Sequence, residues 1–152
     1  MSEMQQPVFN IEKLYIKDLS VEVPNAPAVF MEREAPQIDV NMSTESRALG
    51  NDVYNTSITV TITAKIADKT MFLIECTQGG IFRIQNVPQD QLPMVLGIGC
   101  PNIVFPYLRE SVSDVVIRAG FPPLLLNPVN FEALFAQQQA AQQQQAAPAQ
   151  TH

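Results

Sequence analysis

"YNTSITVTITAKIADKTMFLIECTQGGIFRI", residues 54–84, decides the fold. Its first half alternates Ile58, Val60, Ile62, Ala64 and Ile66 with Thr59, Thr61, Thr63 and Lys65, the period-2 pattern of a strand with one buried face. Its second half repeats the pattern, with Phe72, Ile74 and Cys76 on one side and Leu73, Glu75 and Thr77 on the other. The short link "ADKT" leaves room only for a tight reversal, so the stretch predicts an antiparallel hairpin. Gly79-Gly80 marks a bulge or a close backbone approach within the second of these strands. One residue does not fit a plain polar surface: if the even set is core, Leu73 faces water beside the carboxylate of Glu75.

Upstream, "FNIEKLYIKDLSVEV" (9–23) reads as another strand, with Phe9, Ile11, Tyr15, Leu19 and Val21 of one parity and Asp18, Ser20 and Glu22 of the other. "PNAPAVFMEREAPQ" (24–37) holds three prolines and neither period, which predicts a long, partly extended crossover. "IDVNMST" (38–44) alternates again. Downstream of Pro88 the period lengthens. "DQLPMVLGIG" (90–99) is a short apolar segment with weak helical character. "PNIVFPYLRESVSDVVIRAGFPP" (101–123) predicts a helix capped by Asn102, tolerating an early Pro106 and ending at Gly120. Val104, Leu108, Val112, Val115 and Ala119 line one face of it. "NPVNFEALF" (127–135) predicts a last helix with Asn127 as cap and Pro128 in first position. The Gln/Ala-rich continuation lacks large apolar residues and is expected to fray. Together these elements predict an α+β fold: a four-stranded antiparallel sheet with helices packed on one face, in a domain over 1–136 followed by a disordered tail over 137–152.

The composition narrows the function. With 152 residues, 46% hydrophobic, 16% charged and a net charge of −6, the chain suits one mildly acidic domain. Nine Lys and Arg are too few for a phosphate-binding surface, so nucleic acid is not an expected partner, and a basic protein fits the sign better. No secretory signal or apolar run long enough to span a bilayer is visible, which predicts a cytoplasmic protein without membrane insertion. Cys76 and Cys100 are then expected as free structural thiols.

Catalytic chemistry finds little support. The one histidine is the terminal His152, leaving no base for a Ser or Cys nucleophile. There is no phosphate-cradling glycine loop and no zinc-ligand spacing, so neither cofactor nor metal is expected. Asp18 with Glu22, Glu32 with Glu34, and Asp68 are the acids left for a hydrolytic pair, and such charges are as a rule solvated surface. A binding protein is the sharper reading.

The blocks "YIKDLSVEVPNAPAVF", "DVYNTSITVTITA", "FLIECTQGGIF" and "CPNIVFPYLRESVSDVVIRAGFPPLLLNPVNFEALF" together resemble the SecB family of bacterial export chaperones, in matching order from about residue 9 to 135. The resemblance implies an ATP-independent holdase that binds unfolded precursor proteins and passes them to SecA, the translocase motor. It implies a homotetramer built as a dimer of dimers, no cofactor and no bond chemistry. By matching blocks, contacts to the basic, zinc-containing C-terminal segment of SecA fall on Asp18, Glu22, Leu73 and Glu75. Leu73 would then be an apolar anchor ringed by complementary charge. Client contacts fall on Phe30, Met31, Ile38, Val40, Met42, Leu134 and Phe135. Some relatives carry a crossover tryptophan where this chain reads "EREAP", so Glu34 is expected to make the groove less apolar. Two further readings stand beside export: a holdase serving a toxin-antitoxin system, and an oligomeric adaptor without a client groove.

Overall fold

A computed structural model describes residues 5–146. Its four strands are β1 (Val8–Glu22), β2 (Gln37–Gly50), β3 (Val53–Ile66) and β4 (Lys69–Gln85), all antiparallel, in the order β1-β4-β3-β2. The expected hairpin is β3–β4, turning at Ala67–Asp68, and the strand expected at 38–44 is twice that length. The α+β architecture is as the alternation predicts, with helices on one face of the sheet.

That inner face carries the core. Ile58, Val60, Ile62 and Ala64 of β3 and Phe72, Ile74, Cys76 and Phe82 of β4 are buried against Val104, Leu108, Val112 and Val116. Each such aliphatic side chain contributes roughly 1.5–3 kcal/mol by leaving water. Gly79 and Gly80 mark close approach and not a bulge: a Cβ on Gly79 would run into the Tyr15 ring. The β3–β4 ladder runs through both glycines without a register shift.

Bulges interrupt β1, where the pairing with β4 shifts between Ile11 and Lys13 and again between Ile16 and Asp18, while the β3–β4 pairing shifts once, between Ala64 and Lys65 near the turn. Each extra residue reverses the parity of the strand beyond it. The inner face is therefore Phe9, Ile11, Leu14, Ile16, Leu19 and Val21, the partners of Ile84, Phe82, Gly80, Gln78, Cys76 and Ile74. Tyr15, expected with the inner set, lies on the outer face, where its hydroxyl donates to Asn55 Oδ1.

The helical layer also differs from its expected segmentation. A short helix α1 (Leu92–Met94), a π turn (Val95–Gly99) and the long helix α2 (Cys100–Arg118) form one unbroken run. Asn102 is thus inside the helix and not its cap, and the wide π turn precedes Pro101, whose nitrogen has no hydrogen to give a helical ladder. Helix α2 ends as Gly120 predicts: with φ +98 it turns the chain, Gly120 N–H donates to the Ile117 carbonyl at 3.0 Å and Phe121 N–H to that of Val116 at 3.2 Å. The last helix, α3, spans Phe131–Ala146, and its cap is Asn130, whose Oδ1 accepts from Ala133 N–H at 3.0 Å, rather than Asn127. Residues 127–130 precede the helix without regular secondary structure. Fraying was expected after 136, but the helix carries on through the glutamines to Ala146; the rest of the expected tail lies outside the described residues.

Candidate functional site

On the outer face, β-pairing sets Glu22 opposite Leu73, Ser20 opposite Glu75 and Asp18 opposite Thr77. Glu75 is therefore diagonal to both Glu22 and Asp18, about 7–8 Å apart between backbones, within reach of one bound side chain. Asp18, Glu22 and Glu75 are exposed and Leu73 is half-buried, so all four expected residues share one accessible face. The bulge at Lys17 makes this possible: it turns Asp18, Ser20 and Glu22 outward while Leu19 and Val21 stay on the inner side.

The rest of that face is hydroxyl-rich. The row Glu22, Leu73, Thr63, Asp39 crosses all four strands, and Thr59 and Thr77 hydrogen bond to each other at 2.9 Å. Asp39 adds a carboxylate that reading each strand separately does not bring to the patch. Among the described residues the ion pairs are Glu32–Lys69, Glu12–Arg83 and Asp114–Arg118, so the four outer-face acids have no intramolecular cation at salt-bridge distance. Their charge is left for solvent or a cationic ligand.

The expected client residues fall into two places joined by β2. Under the crossover a cavity of about 400 Å³ is walled by Pro36, Ile38, Met71, Phe121, Pro123 and Leu124. Phe30 stacks on Phe121 with ring centroids 5.1 Å apart, and Glu32 and Glu34 put two carboxylates on the same cavity wall. Glu34 thus stands where the sequence reading expected a less apolar groove. Met31 is the most exposed of the expected set, at 82%. At the other end of β2 a groove of about 350 Å³ lies between Thr44, Ser46, Leu96 and the glutamines of α3. Phe135 lines it, packed so closely on Gly97 that a Cβ there would lie 2.6 Å from the ring. Leu134 is exposed beside it. Val40 and Met42 occupy the inner face of β2 between the two cavities.

Sequence reasoning missed Met71 and the "FPPL" segment (121–124) as cavity wall. The two prolines after Gly120 signalled the end of a helix, and the same signal implies an extended segment that must pass back over the sheet. No helix is long and apolar enough to cross a membrane, and no group of metal-ligating side chains forms among the described residues. Cys76 and Cys100 are buried free thiols. Burial pushes each up to about 11; for Cys76 the Asp18 charge adds to this, while for Cys100 a hydrogen bond with Thr56 opposes it.

This chain matches the family model described as preprotein translocase subunit SecB over residues 2–143. It is 84% identical to the protein-export protein SecB of Thiobacillus denitrificans over the full length of both chains. It is 58% identical to that of Methylobacillus flagellatus, over 93% of this chain and 90% of the relative. Among solved structures it resembles a SecB-like chaperone of Mycobacterium tuberculosis in complex with a ChAD peptide from the HigA1 antitoxin. That match has a TM-score of 0.65 at 17% identity, covering 80% of this chain and 91% of the other, and it bears on the fold alone. With an acidic outer face, an apolar cavity under its crossover and these matches, the chain belongs to the SecB family.

Proposed function

We propose that this protein is an ATP-independent export chaperone that holds unfolded precursor proteins and delivers them to SecA. The observation that carries the reading is the 84% identity, over full length, to a protein-export protein SecB. The apolar cavity and the half-exposed Ile38 and Val40 support client binding at Phe30, Met31, Ile38, Val40, Met42, Leu134 and Phe135, since an unfolded chain offers apolar side chains without fixed shape. SecB is a chaperone family and not an enzyme class, and the holdase role calls for no cofactor and no bond chemistry. It works in the cytoplasm, where precursors emerge.

Docking of SecA's basic C-terminal segment is assigned to Asp18, Glu22, Leu73 and Glu75, supported by their shared face and unpaired charge. Assembly as a dimer of dimers is supported by apolar surface that one copy leaves open. On β1 this is Phe9, Ile11, Ile16, Leu19 and Val21, at 37–49% exposure, and on the outer side of α2 Tyr107 and Ile117.

The test is suppression of aggregation of a denatured precursor, followed by calorimetric titration with SecA. Suppression with SecA binding is expected; no suppression would leave only an oligomeric adaptor, and suppression without SecA binding would remove the export role. The chaperone unit is placed at 1–136, so truncation after residue 136 is expected to keep most holdase activity.

A further inference from the structure

The acidic outer face has a second end of opposite sign. Leu73 and Ile81 are both half-buried on the outer side of β4, about 26 Å apart along the strand. Leu73 sits among Asp18, Glu22, Glu75 and Asp39, whereas the rung through Ile81 reads Lys13, Ile81, Asn55, Arg47 across all four strands. Lys13 and Arg47 are exposed, and among the described residues neither has a carboxylate at salt-bridge distance. Glu12 beside Lys13 is held by Arg83 at 2.9 Å, and Glu45 stands one rung inward from Arg47. Tyr15 divides the two ends: its ring lies over Gly79, and its hydroxyl reaches across β4 to Asn55 Oδ1. That bond occupies the oxygen of the Asn55 amide and leaves Nδ2 as a donor on the rung between Lys13 and Arg47.

We propose that Lys13, Asn55 and Arg47, around Ile81, receive the terminal α-carboxylate of SecA's C-terminal segment while its basic side chains lie at the Leu73 end. This placement rests on the SecA-docking reading above and adds the direction in which the segment lies. A segment that ends a chain carries one anion whatever its side chains, so a basic one has a cationic body and an anionic tip. The outer face offers both complementary signs on one continuous surface, joined by the hydroxyl rungs of Thr77, Thr59 and Ser43 and of Ser57. Lys13 and Arg47 stand three strand spacings apart, about 14 Å, so the anion goes between them, over Ile81 and Asn55. There it accepts charge-assisted hydrogen bonds, and the last side chain of the segment meets Ile81. The segment then runs from Leu73 toward Ile81, in the direction of β4 itself.

The probe is SecA's zinc-loaded C-terminal segment, made once with a free carboxylate and once with a C-terminal amide, titrated calorimetrically at low salt into the 152-residue protein. Amidation is expected to weaken binding about fivefold, the scale of a well-placed exposed ion pair. The sign is diagnostic, because without a carboxylate site the net charge of −6 would favour the more positive amide. In the Lys13→Gln/Arg47→Gln variant the two forms are expected to bind alike, and in Lys13→Glu/Arg47→Glu the amide is expected to bind more tightly. The methyl resonance of Ile81 is expected to move further with the free acid than with the amide. An amide that binds the parent protein as well as the free acid, or better, would overturn the carboxylate site while leaving SecA docking in place. An undiminished preference for the free acid in the Gln variant would put the carboxylate elsewhere and would also overturn it. Failure of both forms to bind would fell the docking reading together with this one.

Discussion

Ile62 and Val40 face each other across one rung of the sheet, yet Ile62 is fully buried and Val40 is 43% exposed. On the other flank Ile74 is 1% exposed and its partner Val21 37%. The middle and outer strands have the same kind of inner face, but different amounts of cover. A helix with its side chains is about 10–12 Å across and strands lie about 4.8 Å apart, so α2 roofs roughly two strands of four. The uncovered apolar flanks are the surfaces to which client binding and self-assembly are assigned in the proposed function.

The largest expected effect tests that difference directly. Ile62→Ala should lower folding stability by about 2–5 kcal/mol in urea titration, whereas Val40→Ala should change it by no more than about 1 kcal/mol. Equal losses would erase the distinction between roofed and open strands. Ile38→Asp and Val40→Asp should reverse that order for function: several-fold weaker suppression of precursor aggregation with an unfolding midpoint close to that of the parent. Unchanged suppression would take β2 out of the client path.

The outer face offers a finer contrast, because it should serve a partner and contribute little to folding. Glu75→Lys should weaken calorimetric binding of SecA's C-terminal segment about tenfold, or about 1.4 kcal/mol, with tetramer and holdase activity intact. Unaltered affinity would remove Glu75 from the docking site. The smallest effect concerns the thiols beneath the roof. Their folded values of about 11 lie above the ordinary thiol value of 9.0, so the unfolded chain releases those protons first as pH rises. Stability should be insensitive to them below about pH 9 and fall between 9 and 11, by below about 1 kcal/mol per thiol at about pH 9.5. Replacing both cysteines with alanine should flatten that decline in urea midpoints measured across pH.

The same physics decided which elements were legible in the sequence. The β3–β4 hairpin could be read because neither strand is bulged through its core stretch, so the side-chain period survives intact. The shared outer face of Asp18, Glu22, Leu73 and Glu75 could be read because Leu73 and Glu75 lie on that regular strand and Asp18 and Glu22 lie beyond the last bulge of β1. Tyr15 was misplaced because a bulge is one extra residue with no compositional mark of its own. The helix start was misplaced because Pro93 and Pro101 suggest two segments, and only the π turn between them lets the run continue. Asn127 and Asn130 are chemically equal caps, and the burial of Phe131 goes with the second. The cavity wall from Phe121 to Leu124 was illegible for another reason: local pattern marks where a helix stops, and not which distant strand the next segment crosses.

The extra residue at Lys17 also decides where this lineage can lose a codon. Ile16 and Asp18 are partnered by the adjacent Gln78 and Thr77, so removing Lys17 alone would join them in plain register and leave every other side chain of β1 on its present side. A deletion there ought to be borne about as well as a point substitution, whereas losing one codon from an evenly paired run such as residues 58–63 of β3 would exchange water-facing and oil-facing side chains along the rest of that strand and rank among the most damaging small genetic lesions.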